Sequence, residues 1–300
     1  MKFVLSAEQR MFGETLRRLL AGAQTAKAVR AWAAGDAAPG RALWAQAAEA
    51  GVFALAVPEE HGGIGPLPVE LAVAMEELGR AAAPGPYVET LAAAEVLTDG
   101  DLLARIAEGE ALVSVAVPHA LDADAADLVI TTDGTAVQAG ERVASLDPAR
   151  RLFKVDGEPS GLTDLGVMLC AAQQIGLGRA LLDVSVEYAK TRQQFGHPIG
   201  EYQAVKHHLA TALVELEFAR PLVYGAALSY GTDDFARDAS AAKVAASDAS
   251  YLAAKTALQV HAAIGYTDEY DPSLWIRKAR ALYSAWGTPA HHRARVAAAL

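Results

Sequence analysis

The sequence predicts a mainly helical fold with a short β region in its middle. Apolar residues follow helical spacing in the first hundred residues and again after Asp164, whereas residues 111–160 contain short β-branched runs typical of strands. The 300 residues are 52% hydrophobic and 21% charged, as in a globular chain with an ample core. We expect an N-terminal helical domain at 1–110, a shortened β-domain at 111–160 and a C-terminal four-helix bundle at 161–300.

The N-terminal part is expected to begin with a capped helix. Ser6 and Gln9 have the spacing of a capping box, which predicts a helix to about residue 20. Further helices are predicted over RALWAQAAEAGVF, over VELAVAMEELGRAAA and after Pro86. The stretch VPEEHGGIGPLP contains three glycines and three prolines, so it is predicted to be a loop.

The middle part indicates four short strands. They are ALVSVAV, DLVITTDG, TAVQA and RRLFKVDG, and the Asp133-Gly134 pair predicts a hairpin turn between the second and third. About 50 residues are too few for an elaborate independent domain.

The C-terminal part is expected to form an antiparallel bundle of four amphipathic helices. Apolar stripes run from Leu177 to Tyr188 and from Val205 to Val223, with Pro221 as an expected kink. A third helix is predicted to end near His261, and Asp271-Pro272 is typical of the start of a last helix.

Composition and motifs exclude several functional classes. A net charge of −10 disfavours binding to nucleic acid or to an anionic membrane surface. The N-terminal MKFVLSAEQRMF is expected to be neither a signal peptide nor a membrane span. The single cysteine, Cys170, excludes an internal disulfide and favours a cytoplasmic location. There is no HExxH, GxGxxG or GxSxG motif, and we predict no metal site.

Two breaks between helices carry side chains that suit ligand binding. Arg192 and Phe195 precede the forced break Gly196-His197-Pro198, where a guanidinium can bind phosphate and a ring can pack on a flat base. The second break, QVHAAIGYTDEY, contains Gln259, which could reach a ligand edge. From the pattern alone, an ordinary turn with a solvated arginine and a surface glutamine are the favoured interpretation of these residues.

The first break resembles a signature of the acyl-CoA dehydrogenase family. Arg192-Gln-Gln-Phe195-Gly196, then Pro198-Ile199 and Gln203, carry this resemblance, and QVHAAIGYTDEY followed by Arg277, PEEHGGIG and EELGR extend it over essentially the whole chain. It implies an N-terminal helical domain, a middle β-domain and a C-terminal four-helix bundle. It also implies a flavoprotein that oxidises an acyl-CoA thioester between Cα and Cβ. In that reaction a carboxylate removes the α-proton and FAD accepts hydride from Cβ.

The resemblance further implies that these segments serve the FAD of a neighbouring subunit. In the family the arginine and phenylalanine reach the pyrophosphate and adenosine of the neighbour's cofactor, and the QxxGG segment does likewise. The implied cofactor residues here are Arg192, Gln194, Phe195, Tyr202, Gln203, Gln259, Ala262 and Ala263. The last two replace glycines, and their methyl groups occupy space that close backbone approach would use.

The position of the family's catalytic glutamate is occupied by Trp286, whose indole cannot accept the proton. An alternative family position for the base falls near Gly166, and the nearest carboxylate is Asp164. Glu269 matches a glutamate that the family has in addition to its base. We therefore expect no catalytic residue in this chain.

The segments that would bind the chain's own flavin, by the same resemblance, are also altered. VAVPHALDADAAD stands where the family has a TEPGAGSD-like loop, and Ala290 replaces a glutamine. The resemblance thus implies a non-catalytic subunit of a heteromeric enzyme (α2β2), similar to those that desaturate steroid side-chain CoA thioesters. A catalytic partner would hold the base and most of the acyl-CoA site. Two alternatives remain: a homo-oligomeric flavoenzyme with a displaced base such as Asp164, and a flavin-free scaffold.

Overall fold

Six α-helices precede the first strand in the computed structural model, which describes residues 4–156 and 161–300. They are α1 (Ala7–Ala21), α2 (Thr25–Ala33), α3 (Ala38–Glu49), α4 (Pro68–Arg80), α5 (Tyr87–Ala93) and α6 (Gly100–Ala107). The predicted capping box is confirmed, since the Gln9 N–H donates to Ser6 Oγ and the Ser6 N–H donates to Gln9 Oε1. Helix α2 was not predicted, because its N-cap residue, Gln24, makes no side-chain capping hydrogen bond of the kind that a sequence pattern could reveal.

Helix α4 crosses the long helix α7 (Asp164–Thr191) at two glycines. A Cβ on Gly176 would lie 1.7 Å from the carbonyl oxygen of Glu76, and a Cβ on Gly79 would lie 2.0 Å from that of Gln173. The two backbones are therefore in direct contact, which joins the N-terminal helices to the bundle.

The five strands of the middle region form two small sheets. Strand β1 (Val113–Val115) pairs in parallel with β3 (Leu128–Ile130), while β2 (Ala120–Leu121), β5 (Leu152–Val155) and β4 (Ala139–Val143) form an antiparallel sheet in the order β2-β5-β4.

The strand predicted over TAVQA is wrong in position, since β4 begins at Ala139. The reason is the turn at Asp133-Gly134, which closes when the Thr131 N–H donates to the Thr135 carbonyl oxygen. After that turn Ala136 forms an isolated bridge with Ile130, and the Val137 N–H donates to the Val129 carbonyl oxygen, so the pairing is too short to count as a strand.

The C-terminal helices are α7, α8 (Gln203–Leu228), α9 (Phe235–His261), α10 (Pro272–Leu282) and α11 (Pro289–Ala298). The single last helix of the prediction is therefore divided, because Trp286 and Gly287 have φ values of +55° and +93°. Pro221 lies inside α8. Helix α7 is long and apolar enough to cross a membrane, but 89% of its most apolar window is buried, so it is a core helix.

Candidate functional site

The connection between α7 and α8 is a tight hairpin that presents an aromatic ring to solvent. Strand β6 (Gln193–Gln194) pairs with β7 (His197–Pro198) around Phe195 and Gly196, whose φ values are +53° and +84°. Phe195 is 91% exposed. A positive φ is costly for a bulky residue, and such strain concentrates at functional sites. The fold thus holds this ring outward at a conformational cost.

Arg192 lies at the base of the same hairpin. Its backbone N–H donates to the Tyr188 carbonyl and its own carbonyl accepts from the Ile199 N–H, both at 2.8 Å. Its guanidinium is exposed and forms no hydrogen bond or ion pair within residues 4–156 and 161–300. An unpaired guanidinium beside an exposed ring is suited to a phosphate group joined to a flat base.

The remaining polar cofactor candidates lie at the start of α8. Tyr202 is 37% exposed, and its hydroxyl donates to the Gln194 carbonyl at 3.1 Å, which ties the hairpin to the helix. Gln194 and Gln203 are exposed as well. These residues therefore form one continuous surface with Arg192.

The second predicted segment lies next to the first. The His261 ring is 4.4 Å from the Tyr188 ring, one turn before Arg192, and 5.3 Å from the Tyr270 ring. Gln259 is exposed in the last turn of α9, as are Ala262 and Ala263 directly after it. The tertiary structure thus brings the two predicted cofactor segments together.

Ala262 has a backbone conformation that favours glycine. Its φ of +53° and ψ of −137° lie in a region that glycine adopts freely and alanine adopts at a cost of about 1–3 kcal/mol. The segment therefore has a glycine-type backbone at Ala262 even though the residue carries a methyl group.

Trp286 fills the space where the two possible base positions meet. A Cβ on Gly166 would come within 2.3 Å of the indole, so the two positions are in contact and neither has a carboxylate. Trp286 is only 2% exposed, and its Nε1 donates to Glu89 Oε1 at 3.2 Å. Asp164 accepts a hydrogen bond from Arg295 at 2.7 Å, so its carboxylate already has a partner.

The turn that carries Trp286 is held by a buried histidine. His292 Nε2 lies 2.7 Å from the Trp286 carbonyl oxygen, and His292 Nδ1 lies 3.2 Å from Ser240 Oγ. The ring is fully buried, and this desolvation lowers the pKa of His292 to about 4. The neutral ring therefore donates its Nε2–H to the Trp286 carbonyl oxygen, and its Nδ1 accepts a hydrogen bond from the Ser240 hydroxyl.

We expect the folded chain to lose stability as the pH falls from about 6.5 to about 4. In this pH window His292 is protonated in the unfolded chain and neutral in the folded chain. Lowering the pH therefore reduces the free energy of unfolding by up to about 3 kcal/mol. Urea denaturation at pH 7, 5 and 4 measures this decrease in the free energy of unfolding, and the decrease should be smaller in the His292→Gln variant. His291→Gln, a change at an exposed neighbour, should leave it unaltered. An equal pH dependence in both variants would contradict the assignment.

Sequence reasoning missed two buried charged residues beside Trp286, namely Glu89 and Arg150. Both line a cavity of about 350 Å³ together with Trp286 and Val117–His119 of the altered loop. Burial raises the pKa of Glu89, against the opposing attraction of Arg150. A single acidic residue in the otherwise apolar YVETLAA was the signal that could have revealed Glu89.

The comparisons with known proteins match both ends of the chain. The N-terminal domain of acyl-CoA dehydrogenase matches residues 6–101, and the C-terminal domain matches residues 163–300. The chain is similar to acyl-CoA dehydrogenase IpdE2 of Mycobacterium tuberculosis, with 35% identity over 292 residues that cover 91% of each chain.

Solved structures share the fold over nearly the whole length. One is the ChsE4–ChsE5 complex from Mycobacterium tuberculosis, with a TM-score of 0.81 and 20% identity, covering 99% of this chain and 98% of that one. Another is the Tcur3481–Tcur3483 steroid ACAD, with a TM-score of 0.82 and 22% identity, covering 97% of each chain. These structures show the shared fold, and the relative that is 35% identical over 91% of each chain shows that this chain belongs to the acyl-CoA dehydrogenase family.

Proposed function

We propose that this chain is the non-catalytic subunit of a heteromeric, FAD-dependent acyl-CoA dehydrogenase. The observation that carries the proposal is Trp286, whose buried indole packs on Gly166 and occupies the space of both possible bases. Removal of the α-proton needs a group that can accept it, and indole cannot. A catalytic partner subunit would supply the base and most of the acyl-CoA site.

In this proposal the hairpin and the end of α9 hold the adenosine and pyrophosphate side of an FAD shared with the partner. Arg192 would bind the pyrophosphate and Phe195 would pack on the adenine, because the guanidinium is unpaired and the ring is exposed. The other residues assigned to this side are Gln194, Tyr202, Gln203, Gln259, Ala262 and Ala263. FAD, when bound, supplies the acceptor for the hydride that leaves Cβ of the thioester.

An exposed apolar surface on α8 supports an interface with another chain. Phe218 is 75% exposed, and Leu213, Val214 and Leu222 are each 45–47% exposed. Contiguous apolar side chains of this kind usually mark protein–protein contacts. The similar ChsE4–ChsE5 structure is a complex of two named chains, which supports an unlike partner, and we propose an α2β2 assembly in the cytoplasm.

The substrate class is proposed from similarity alone. The Tcur3481–Tcur3483 structure is a steroid ACAD, so we propose a steroid side-chain CoA thioester as substrate. Turnover of straight-chain acyl-CoAs by the complex, with no turnover of steroid thioesters, would contradict this class.

The proposal is tested by the visible absorption of the purified chain, alone and mixed with a partner that has the family glutamate. We expect flavin absorption at ~450 nm only in the mixture, because the FAD site would be built from both chains. The complex should bleach on addition of substrate, and a glutamate-to-glutamine change in the partner should abolish the bleaching. Flavin retention and bleaching by the isolated chain would refute the non-catalytic role.

A second candidate function keeps a base in this chain, and Glu89 favours it. This carboxyl group is buried, lines the cavity and has a raised pKa, as general bases often do. In that case Glu89→Gln would abolish turnover, whereas the non-catalytic role requires it to leave turnover of the complex nearly unchanged.

A further inference from the structure

The cavity beside Trp286 contains a buried cation that has no partner in the part of the chain that the structure describes. Arg150 is 9% exposed, and its guanidinium makes no hydrogen bond or ion pair with any residue in 4–156 or 161–300. It lines the cavity of about 350 Å³, a volume at the lower end of the range for small-molecule sites. A buried charge without a counter-ion is unfavourable, so an arginine kept in this state calls for a ligand.

The neighbouring charges are already paired with each other. Arg151, the next residue, binds Asp122 at 3.3 Å and Asp124 at 3.1 Å. Asp147, three residues before Arg150, lies 3.4 Å from Lys278. These three acidic residues are therefore paired with other cations, and none of them forms an ion pair with Arg150.

Glu89 attracts Arg150 but does not neutralise it. No pair of their charged atoms is within 4.0 Å, and Glu89 Oε1 accepts a hydrogen bond from the Trp286 indole. Arg280, exposed at the rim, also lines the cavity and adds positive charge. The cavity therefore has an excess of positive charge.

We infer that this cavity binds a small organic carboxylate through the guanidinium of Arg150. The planar guanidinium can donate two parallel hydrogen bonds to a carboxylate. Val115, Val117 and Leu152 line the same cavity and suit an apolar body attached to that carboxylate. A carboxylate with one negative charge would meet less repulsion from Glu89 than a phosphate dianion would.

The inference does not rest on the proposed function. Binding is measured on the full chain without flavin or partner, so its failure leaves the shared-FAD proposal unaffected. The probes are butyrate and glutarate, with inorganic phosphate as the comparison ion, and the method is isothermal titration calorimetry.

We expect millimolar or tighter binding of at least one carboxylate and weaker binding of phosphate. Arg150→Met should weaken the carboxylate at least about tenfold, because a charge-assisted pair is lost, and Arg150→Lys should retain part of the affinity. Arg142→Met, at an exposed arginine of β4, is the matched control and should bind normally. Circular dichroism checks that each variant is folded.

Three results would overturn the inference. One is no carboxylate binding by the native chain at millimolar concentration. Another is equal binding by the folded Arg150→Met variant and the native chain. The third is phosphate binding that matches the carboxylates and depends equally on Arg150, since the site would then be a general anion site.

Discussion

The Gly176→Ala variant is expected to be destabilised by about 3 kcal/mol or more. The added methyl carbon would lie 1.7 Å from the Glu76 carbonyl oxygen, and backbone atoms of two helices cannot rotate away as a side chain can. Helices α4 and α7 would have to separate, which removes packing between the N-terminal helices and the bundle. We expect the thermal midpoint to fall by roughly 6 °C or more, measured by circular dichroism.

The matched control is Gly22→Ala, at the end of α1. A methyl group there would have its nearest neighbour at 3.7 Å, so we expect a change within about 0.5 kcal/mol. Gly79→Ala should behave like Gly176→Ala, because it opposes the Gln173 carbonyl at the same crossing. A Gly176→Ala variant as stable as Gly22→Ala would show that the two helices are not in direct backbone contact.

The Arg192→Ala variant is expected to bind FAD about 100-fold more weakly once it is assembled with its partner, equivalent to about 3 kcal/mol. The unpaired guanidinium beside exposed Phe195 would lose its charge-assisted hydrogen bonds to the pyrophosphate. The measurement is FAD retention by the assembled complex, followed by titration of the apo complex. Arg192→Lys should bind with intermediate affinity, because an ammonium keeps the charge without the planar geometry.

Arg18→Ala, at an exposed arginine of α1, should leave FAD affinity unchanged. Size-exclusion chromatography separates loss of cofactor from loss of assembly. If the folded, assembled Arg192→Ala complex binds FAD with native affinity, the shared site is wrong and the chain is better explained as a flavin-free scaffold.

Local sequence signals predicted most elements of this fold. The capping box of α1 and the proline at the head of α10 act within a few residues, so they are visible without the rest of the chain. Helix α2 and the position of β4 were not predictable in this way. The first lacks a capping side chain, and the second depends on how the Asp133-Gly134 turn closes.

The sequence by itself determined the helical character, the family resemblance and the absence of a glutamate at Trp286, since these depend on residue identity and short-range spacing. Only the tertiary structure decided that Trp286, Gly166 and Glu89 meet in one place, because their contacts join segments far apart along the chain, 197 residues in the case of Trp286 and Glu89. It also decided that, among residues 4–156 and 161–300, the Arg150 guanidinium has no partner while Arg151 has two. A buried charge is paired only if the packing brings an opposite charge from elsewhere in the chain close to it. The residues next to it in the sequence do not show whether this happens.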